Sequence, residues 1–146
     1  MEKRIRTQEH GKFVTKGNDG ESNGFLVPIA NINDGFFAPG KFPEQVYLTS
    51  VKSGKVKGPH LHFIRAGFFT CVKGDVKIVL KVEGQYQVFF SGENYNYLSV
   101  EIPTGVPAAI QCLGEEEALI LNMPNPAWTP EMNDEHEADF SDFDFS

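Results

Sequence analysis

Alternating hydrophobic and polar residues mark two stretches of this chain as β-strands. In residues 45–51 (QVYLTSV), every second side chain falls on the same face of an extended strand. Residues 75–82 (DVKIVLKV) place Val76, Ile78 and Leu80 on one face and two lysines with a valine on the other. This pattern predicts a strand that is half buried, with one face in a core and the other in solvent.

Short segments of this kind recur along the chain, roughly nine or ten in all, at the 8–12-residue spacing typical of β-sandwiches and barrels. Turns that contain glycine separate them, for example at residues 73–74 and 83–84, and both suit tight hairpins. Residues 24–32 are predicted to form the first substantial strand, at an edge or a bulge because Pro28 has no N–H to donate. No segment has a strong helical period. The chain is therefore predicted to be all-β.

The length of 146 residues predicts a single domain with a substantial buried core. Within it, residues 1–23 are expected to form an N-terminal strand and loop, and residues 24–123 the barrel. Residues 124–146 form an acidic arm with several aromatic side chains. We expect this arm to pack on the barrel or on a partner subunit, because disordered tails are usually poor in aromatic residues.

The net charge of −7 comes from the end of the chain. Residues 131–146 hold seven acidic residues and no lysine or arginine, whereas the remaining 130 residues hold 13 acidic and 13 basic groups. A charge-balanced barrel with an acidic arm predicts no nucleic-acid binding. The sequence has no run of 18 apolar residues and no apolar signal segment, so we predict no membrane contact and a cytoplasmic location.

Two cysteines, Cys71 and Cys112, each lie in an apolar segment. They are too few for a disulfide framework, and no CxxC or cysteine–histidine metal pattern accompanies them. We predict that both are buried free thiols.

Two histidines, His60 and His62, are the clearest candidates for chemistry. They are two residues apart between predicted strands, so their side chains are expected to project from the same face. Imidazoles in this arrangement suit a metal site, proton transfer near neutral pH, or a polar pocket. A metal needs three or four ligands, and the only other histidines, His10 and His136, lie in polar terminal segments. We therefore predict no metal.

The glycines around these histidines have a spacing that resembles the first motif of the cupin superfamily of small β-barrels. Gly54 is followed by five residues, then His60, one residue, His62, and eleven residues to Gly74. The resemblance implies a double-stranded β-helix, that is, a jelly-roll cupin barrel.

Two of the four metal ligands of that superfamily are absent from this sequence. Ala66 and Gly67 stand where the first motif has a glutamate, and Ala108 stands where a second motif, beginning at Pro103, ends in histidine. This pattern resembles the sugar-nucleotide branch of the cupins, which includes dTDP-4-keto-6-deoxyhexose 3,5-epimerases and WxcM-like 3,4-ketoisomerases. The resemblance implies an isomerase that acts on a nucleotide-linked 4-keto sugar, needs no metal or other cofactor, and forms a homodimer.

Five residues receive roles from this resemblance. His60 or His62 is expected to be the base that removes a proton beside the keto group, and Tyr47, on the strand before them, the acid. Lys57 and Arg65 flank the histidines and are expected to contact substrate phosphates. Two alternatives stay open: a metal-dependent cupin enzyme, either an oxygenase or an isomerase, and a cupin that binds a sugar without catalysis.

Overall fold

A computed structural model describes residues 4–146 of the chain, so the first three residues of the predicted N-terminal segment (1–23) lie outside the described residues. Between residues 4 and 146 it has twelve β-strands and one 3₁₀ helix, Ile32–Asp34. The strands are β1 (Thr7–His10), β2 (Phe13–Lys16), β3 (Ser22–Leu26), β4 (Tyr47–Val51), β5 (Val56–Leu61), β6 (Gly67–Lys73), β7 (Asp75–Val82), β8 (Gln85–Gly92), β9 (Tyr97–Ile102), β10 (Ala108–Cys112), β11 (Ala118–Asn122) and β12 (His136–Glu137). In this range no helix has the length and apolar character that a membrane span requires.

Two antiparallel five-stranded sheets form the body of the molecule. The first sheet has the strand order β1-β9-β6-β11-β4 and the second the order β12-β5-β10-β7-β8. From β4 to β11 the chain crosses between the sheets in the order of a jelly roll, with β11 returning beside β4 and β10 beside β5. The predicted all-β jelly roll is therefore confirmed.

The hydrophobic core lies between the two sheets. Its centre is formed by side chains that alternate inward along the strands, including Val76, Ile78 and Leu80 of β7 with Val100 and Ile120, all of them fully buried. Both cysteines are buried and free, as predicted, and burial raises the pKa of the Cys71 thiol to about 12. This thiol is therefore a packing group and not a nucleophile.

The prediction that β7 is half buried is wrong, because its outer face is covered as well. Val79 on that face is fully buried, where it packs with Ala109 of β10 and with Phe140 of the C-terminal arm. Phe143 and Phe145 pack beside this cluster. Local alternation of the sequence does not reveal such cover, because the covering residues come from another part of the chain.

The predicted strand at residues 24–32 is also wrong in its extent. The strand β3 ends at Leu26, and the chain then runs without regular structure, past Pro28, to the 3₁₀ helix. Asn31 caps this helix by accepting a hydrogen bond from the Asn33 N–H. Proline removes a ladder donor and asparagine favours a cap, so the apolar residues of this segment do not continue the sheet.

The C-terminal arm, which we define as residues 124–146, returns over the barrel. Asn125 forms an isolated bridge with Ala66, and β12 then pairs with the edge strand β5 at His60 and Leu61. Further along, Phe140 is buried on the outer face of the second sheet, whereas Trp128 keeps 48% of its surface exposed. The arm thus crosses one end of the barrel before it covers β7.

Candidate active site

A cavity of about 580 Å³ opens between the two sheets at the end that the C-terminal arm crosses. The residues that line it are Gln45, Tyr47, Thr49, Lys57, His60, His62, Arg65, Ala66, Gly67, Phe69, Ile102, Ala108, Ile110, Asn122, Pro124, Trp128, Met132, Asn133, Asp134 and Glu135. The structure therefore brings together His60, His62, Tyr47, Lys57 and Arg65, the five residues that received roles from the family resemblance.

A β-bulge in β5 turns three of these side chains toward the cavity. Lys57 pairs with Ile110 of β10 and His60 pairs with Ala108, so three residues of β10 face four residues of β5. On a regular strand, residues three apart point to opposite faces, and the extra residue at the bulge places Lys57 and His60 on the same one. His62 follows immediately after the last residue of β5 and lines the same cavity.

A glycine makes this bulge possible. Gly58 has a φ of 93°, and a Cβ atom at this position would lie 2.8 Å from the carbonyl oxygen of Ala108. Only glycine combines this backbone conformation with such a close approach of the neighbouring strand.

The side chains around His60 and His62 do not fit a metal ion. Ala108 stands directly opposite His60 in the β5–β10 register and lines the cavity, so a methyl group occupies the position of the missing histidine. Among residues 4–146, no group of three or more histidine, cysteine, aspartate or glutamate side chains is placed to hold a metal. The donor set falls short of the three ligands that such a site needs.

His62 is half buried, and its surroundings favour the neutral imidazole. Burial lowers the pKa of His62 and the nearby Arg65 lowers it further, whereas Asp134 and Glu135 act in the opposite direction. The net pKa lies below the ordinary value of 6.5. At neutral pH this imidazole is therefore unprotonated and able to accept a proton.

His60 has a carboxylate from the arm as its neighbour. Its Nδ1 lies 3.4 Å from Oε1 of Glu135, and both side chains are partly exposed. A carboxylate beside Nδ1 favours the tautomer that carries its proton there, which leaves Nε2 as an acceptor. The two histidines thus differ in their partners although they line the same cavity.

Tyr47 reaches the cavity from β4 and is held by Asn122 of β11. The Asn122 Nδ2 group donates a hydrogen bond of 2.6 Å to the Tyr47 hydroxyl, while Asn122 Oδ1 accepts from the Phe68 N–H at 3.1 Å. Because the phenol oxygen is the acceptor in this bond, its own hydrogen is available to a group in the cavity. The asparagine therefore sets the direction in which Tyr47 donates.

The two predicted phosphate contacts have different environments. The ammonium group of Lys57 donates to Oγ1 of Thr49 at 2.7 Å and to the carbonyl of Ser50 at 3.1 Å, which fixes it against β4. Arg65 is more buried, with 12% of its side chain exposed, and its Nε lies 3.3 Å from Oδ2 of Asp134. Both cations border the cavity.

Sequence reasoning did not find Asn122, Asp134 or Glu135. Asn122 ends an apolar strand, and the two carboxylates belong to an arm in which acidic residues are common. None of the three positions therefore has a local sequence pattern that indicates a functional site. The only relevant signal was the aromatic content of the arm, which predicted packing on the barrel but not the entry of its carboxylates into the site.

His10, in the N-terminal segment, lies outside this cavity. It is buried on the outer face of the first sheet, where its Nε2 lies 2.6 Å from Oγ of Ser99. That hydroxyl lies 2.5 Å from Oγ1 of Thr70, which is also fully buried. Burial lowers the pKa of His10, with Asp34 acting in the opposite direction.

Solved structures with the same fold include enzymes of sugar-nucleotide metabolism. A dTDP sugar isomerase from Desulfovibrio desulfuricans G20 has a TM-score of 0.79 at 18% identity, covering 94% of this chain and 85% of its own. The 3′-monoepimerase ChmJ from Streptomyces bikiniensis, in complex with dTDP-quinovose, has a TM-score of 0.74 at 16% identity, covering 94% and 71%. The sugar 3,4-ketoisomerase QdtA from Thermoanaerobacterium thermosaccharolyticum, in complex with TDP, has a TM-score of 0.66 at 19% identity, covering 86% and 82%.

The sequence itself gives a more specific result. A comparison with curated proteins finds no match. The family model described as "FdtA: WxcM-like, C-terminal" matches residues 21–143, which is most of the chain. This match confirms the resemblance to WxcM-like proteins that the glycine and histidine spacing indicated. The chain belongs to the FdtA family of WxcM-like C-terminal domains.

Proposed function

We propose that this chain is an isomerase of a nucleotide-linked 4-keto sugar, acting as a 3,4-ketoisomerase or as an epimerase beside the ketone. The observation that carries the proposal is a single cavity that holds two histidines, a tyrosine directed by Asn122, and two cations. Proton transfer at a carbon next to a carbonyl needs a neutral base, a donor for the developing oxyanion and a means of holding the substrate.

His62 is the proposed base. The ketone at C4 acidifies the hydrogen at C3, and the neutral imidazole takes that proton while the electron pair moves onto the carbonyl oxygen. Its half-buried position and lowered pKa keep it unprotonated at neutral pH. Tyr47 is the proposed donor, because its hydroxyl accepts from Asn122 and can direct its own hydrogen at the oxygen of the resulting enolate.

The fate of the intermediate distinguishes the two types of isomerase. In a ketoisomerase the C4 oxygen gains a proton to give an enediol, the C3 hydroxyl then loses one, and C4 receives a proton to leave the ketone at C3. We assign the hydroxyl proton to His60, whose Nδ1 lies beside Glu135 and whose Nε2 remains an acceptor. In an epimerase, a proton returns to C3 from the opposite face instead. The second histidine and the family favour the ketoisomerase.

Substrate binding is assigned to the cations at the cavity wall. A nucleotide-linked sugar carries a diphosphate, and Arg65 with Lys57 supplies positive charge beside the two histidines. Arginine is the better of the two at bidentate phosphate contact. Two of the structural neighbours, QdtA and ChmJ, were solved with TDP or a TDP-linked sugar, which supports a thymidine diphosphate sugar as the first substrate to test.

The decisive experiment follows proton exchange by NMR in D2O, with metal-free protein and dTDP-4-keto-6-deoxyglucose. We expect deuterium at C3 and formation of a 3-keto product, both abolished in His62→Asn. His60→Asn is expected to retain exchange at C3 but to form the product slowly. His136→Asn, which changes a histidine outside the cavity, serves as the control. Absence of exchange in the wild type would contradict the proposal, and exchange only after a metal is added would favour a metal-dependent cupin.

We also propose that the protein is a homodimer that pairs through its N-terminal hairpin. The strands β2 and β3 form a two-stranded sheet of their own, and Phe13, Val14, Phe25 and Leu26 each expose half or more of their surface on it. A two-stranded ribbon with exposed apolar side chains is marginal in water and gains stability by covering them. A second copy of this chain presents the same apolar hairpin and is the proposed partner.

Sedimentation velocity tests the dimer. The wild type is expected to sediment as a dimer and a Phe13→Ser, Phe25→Ser variant as a monomer. Phe90→Ser alters an exposed aromatic residue on β8 and should leave the dimer intact. A monomeric wild type would rule out this assembly.

We also propose a cytoplasmic location for the protein, because thiols such as Cys71 and Cys112 stay reduced in that compartment.

A further inference from the structure

Asp134 is a buried carboxylate that the proposed reaction does not use. Only 2% of its surface is exposed, although it lies in the acidic arm and about 70 residues in sequence from the loop that it contacts. Its Oδ1 accepts from the N–H groups of Phe63 and Ile64, both at 2.8 Å, and its Oδ2 accepts from the Arg65 N–H at 3.0 Å. One carboxylate thus satisfies three consecutive backbone donors directly after His62.

The oxygen of Asp134 that accepts from the Arg65 N–H also accepts from the Arg65 side chain. Oδ2 of Asp134 lies 3.3 Å from the Arg65 Nε, within hydrogen-bond distance. Burial would raise the pKa of this carboxyl, but the hydrogen bonds from Arg65, Ile64 and Phe63 outweigh that effect and leave the pKa below its ordinary value of 3.8. Asp134 is therefore a charged acceptor throughout the neutral range.

This contact leaves the outer end of the guanidinium unused. Within residues 4–146, the Arg65 side chain donates its hydrogen bond through Nε, and its two terminal nitrogens have no protein acceptor. The side chain is 12% exposed, and Arg65 lines the cavity. A guanidinium held at Nε keeps its planar fork in one orientation, which suits two oxygens of a phosphate.

We propose that Asp134 is a positioning residue that orients Arg65 so that its terminal nitrogens bind the diphosphate of the substrate. The inference rests on the proposed function for the identity of that anion. Asp134 touches no substrate atom in this role. Because three of its four hydrogen bonds go to the backbone of residues 63–65, it fixes the loop that carries Arg65 as well as the side chain itself.

A conservative substitution of Asp134 keeps the hydrogen bonds of one carboxylate oxygen and removes those of the other. Asp134→Asn preserves the volume, and its amide oxygen can still accept from Phe63 and Ile64. Its NH2 group then faces the N–H and Nε–H of Arg65, so donors oppose donors and the guanidinium loses its anchor. Asp142→Asn is the matched control, because that carboxylate of the same arm contacts Tyr86 and Lys81 on the outer face of the barrel.

The readout is the dissociation constant of TDP, measured by calorimetry in a double-mutant cycle. We expect Asp134→Asn to weaken TDP binding about tenfold or more, since a hydrogen bond to a charged group is disturbed. In an Arg65→Ala background the same change should alter affinity less than about twofold, because its effect passes through Arg65. Equal losses in both backgrounds, or no loss in the wild type, would overturn the inference.

A second variant covers the case in which Asp134→Asn fails to fold. Arg65→Lys keeps the positive charge but lacks the Nε–H and the planar fork. If orientation matters, its TDP affinity should be as poor as that of Arg65→Ala, whereas recovery of wild-type affinity would overturn the inference. The inference would also be overturned if the wild-type protein did not bind TDP. A wild type that gives this cycle without exchanging substrate protons would instead count against the proposed isomerase alone.

Discussion

At the scale of single residues, the site depends on a balance of charges around His62. Burial and Arg65 both favour the neutral imidazole, while Asp134 and Glu135 oppose them. The same arginine is held by Asp134, so its charge acts on the base from a fixed position. The arginine that we propose to bind substrate thus also favours the neutral form of the neighbouring histidine.

This balance makes a prediction about pH dependence. Arg65→Gln removes a positive charge that disfavours the imidazolium, so the pKa of His62 should rise. Because the proposed base works in its neutral form, the acid-side inflection of kcat/KM should move to higher pH, and kcat/KM itself should fall about tenfold or more from loss of the proposed phosphate contact. Rate profiles from pH 5 to 9 measure both effects. An inflection that stays in place, or moves to lower pH, would show that Arg65 does not act on the base.

A second prediction at this scale concerns the direction of the Tyr47 hydrogen bond. Asn122→Asp keeps an oxygen for the Phe68 N–H but replaces the donor to Tyr47 with an acceptor. The phenol hydrogen should then point at the new carboxylate instead of at the substrate, and kcat should fall about 100-fold with a smaller change in KM. Asn125→Asp changes an asparagine outside the main cavity and should retain activity. Similar kcat values in the two variants would remove Tyr47 from the role of donor.

The residues of the site were predictable from the sequence only where the chain itself brings them together. His60 and His62 are two apart, so strand geometry placed them on one face, whereas Lys57 and Arg65 were found because they flank the histidines and resemble the cations of related enzymes. Tyr47 followed from the adjacent strand. Asn122, Asp134 and Glu135 reach the cavity although they lie 60 or more residues after His62 in the sequence. Nothing in their local sequence distinguishes them from ordinary polar residues.

At the scale of elements, the β5–β10 pair decides which way the site faces. A regular strand would point Lys57 and His60 in opposite directions, and the bulge between them corrects this. The sequence predicted a strand here but not the bulge, because the signal for it, Gly58 followed by proline, also fits an ordinary turn. The contact that requires glycine, the Ala108 carbonyl, lies on another strand.

Substitution of that glycine should therefore cost more than its backbone conformation alone. Gly58→Ala places a Cβ atom on a residue with positive φ and brings that atom into a clash with the Ala108 carbonyl. We therefore expect the free energy of unfolding to fall by about 2 kcal/mol or more. Gly84→Ala has a similar positive φ, but its Cβ would have no atom within 4 Å, so its cost should be about 1 kcal/mol. Urea denaturation compares the two variants. Equal losses would mean that the approach of β10 exerts no constraint.

The C-terminal arm makes a separate prediction about stability. Phe140 is 5% exposed against Val79 and Ala109, so Phe140→Ala should lower the free energy of unfolding by about 3 kcal/mol. Phe145→Ala, at the margin of the same cluster, should cost less than half of that. Thermal and urea unfolding measure both, with TDP affinity as a check on the cavity. Equal effects would show that the arm is held by something other than this cluster.

At the scale of the whole molecule, one buried histidine, His10, and one half-buried histidine, His62, connect stability to pH. Burial lowers the pKa of His10 and of His62 below 6.5 in the folded chain, so the unfolded chain binds their protons at higher pH. The free energy of unfolding should therefore fall as pH drops below about 6.5 toward the lowered values. The carboxylates with lowered pKa values, such as Asp134, act only near and below 3.8 and do not contribute in this interval.

Urea unfolding at pH 7.5 and 5.5 tests this expectation. The wild type should be less stable at pH 5.5, and His10→Gln should reduce the difference between the two pH values because one of the two groups is gone. Stability that is constant or rises toward pH 5.5 would be inconsistent with lowered pKa values of His10 and His62 in the folded chain.

The arm that completes the cavity wall also carries Trp128, the one tryptophan in the sequence. Its indole borders the cavity and is about half exposed, so its emission depends on local solvation. Because no other tryptophan contributes, fluorescence of the unlabelled protein reports docking of the arm and occupancy of the cavity. Circular dichroism reports formation of the barrel, so the two methods distinguish these events. The molecule thus contains an intrinsic optical probe placed beside the groups whose chemistry it can report.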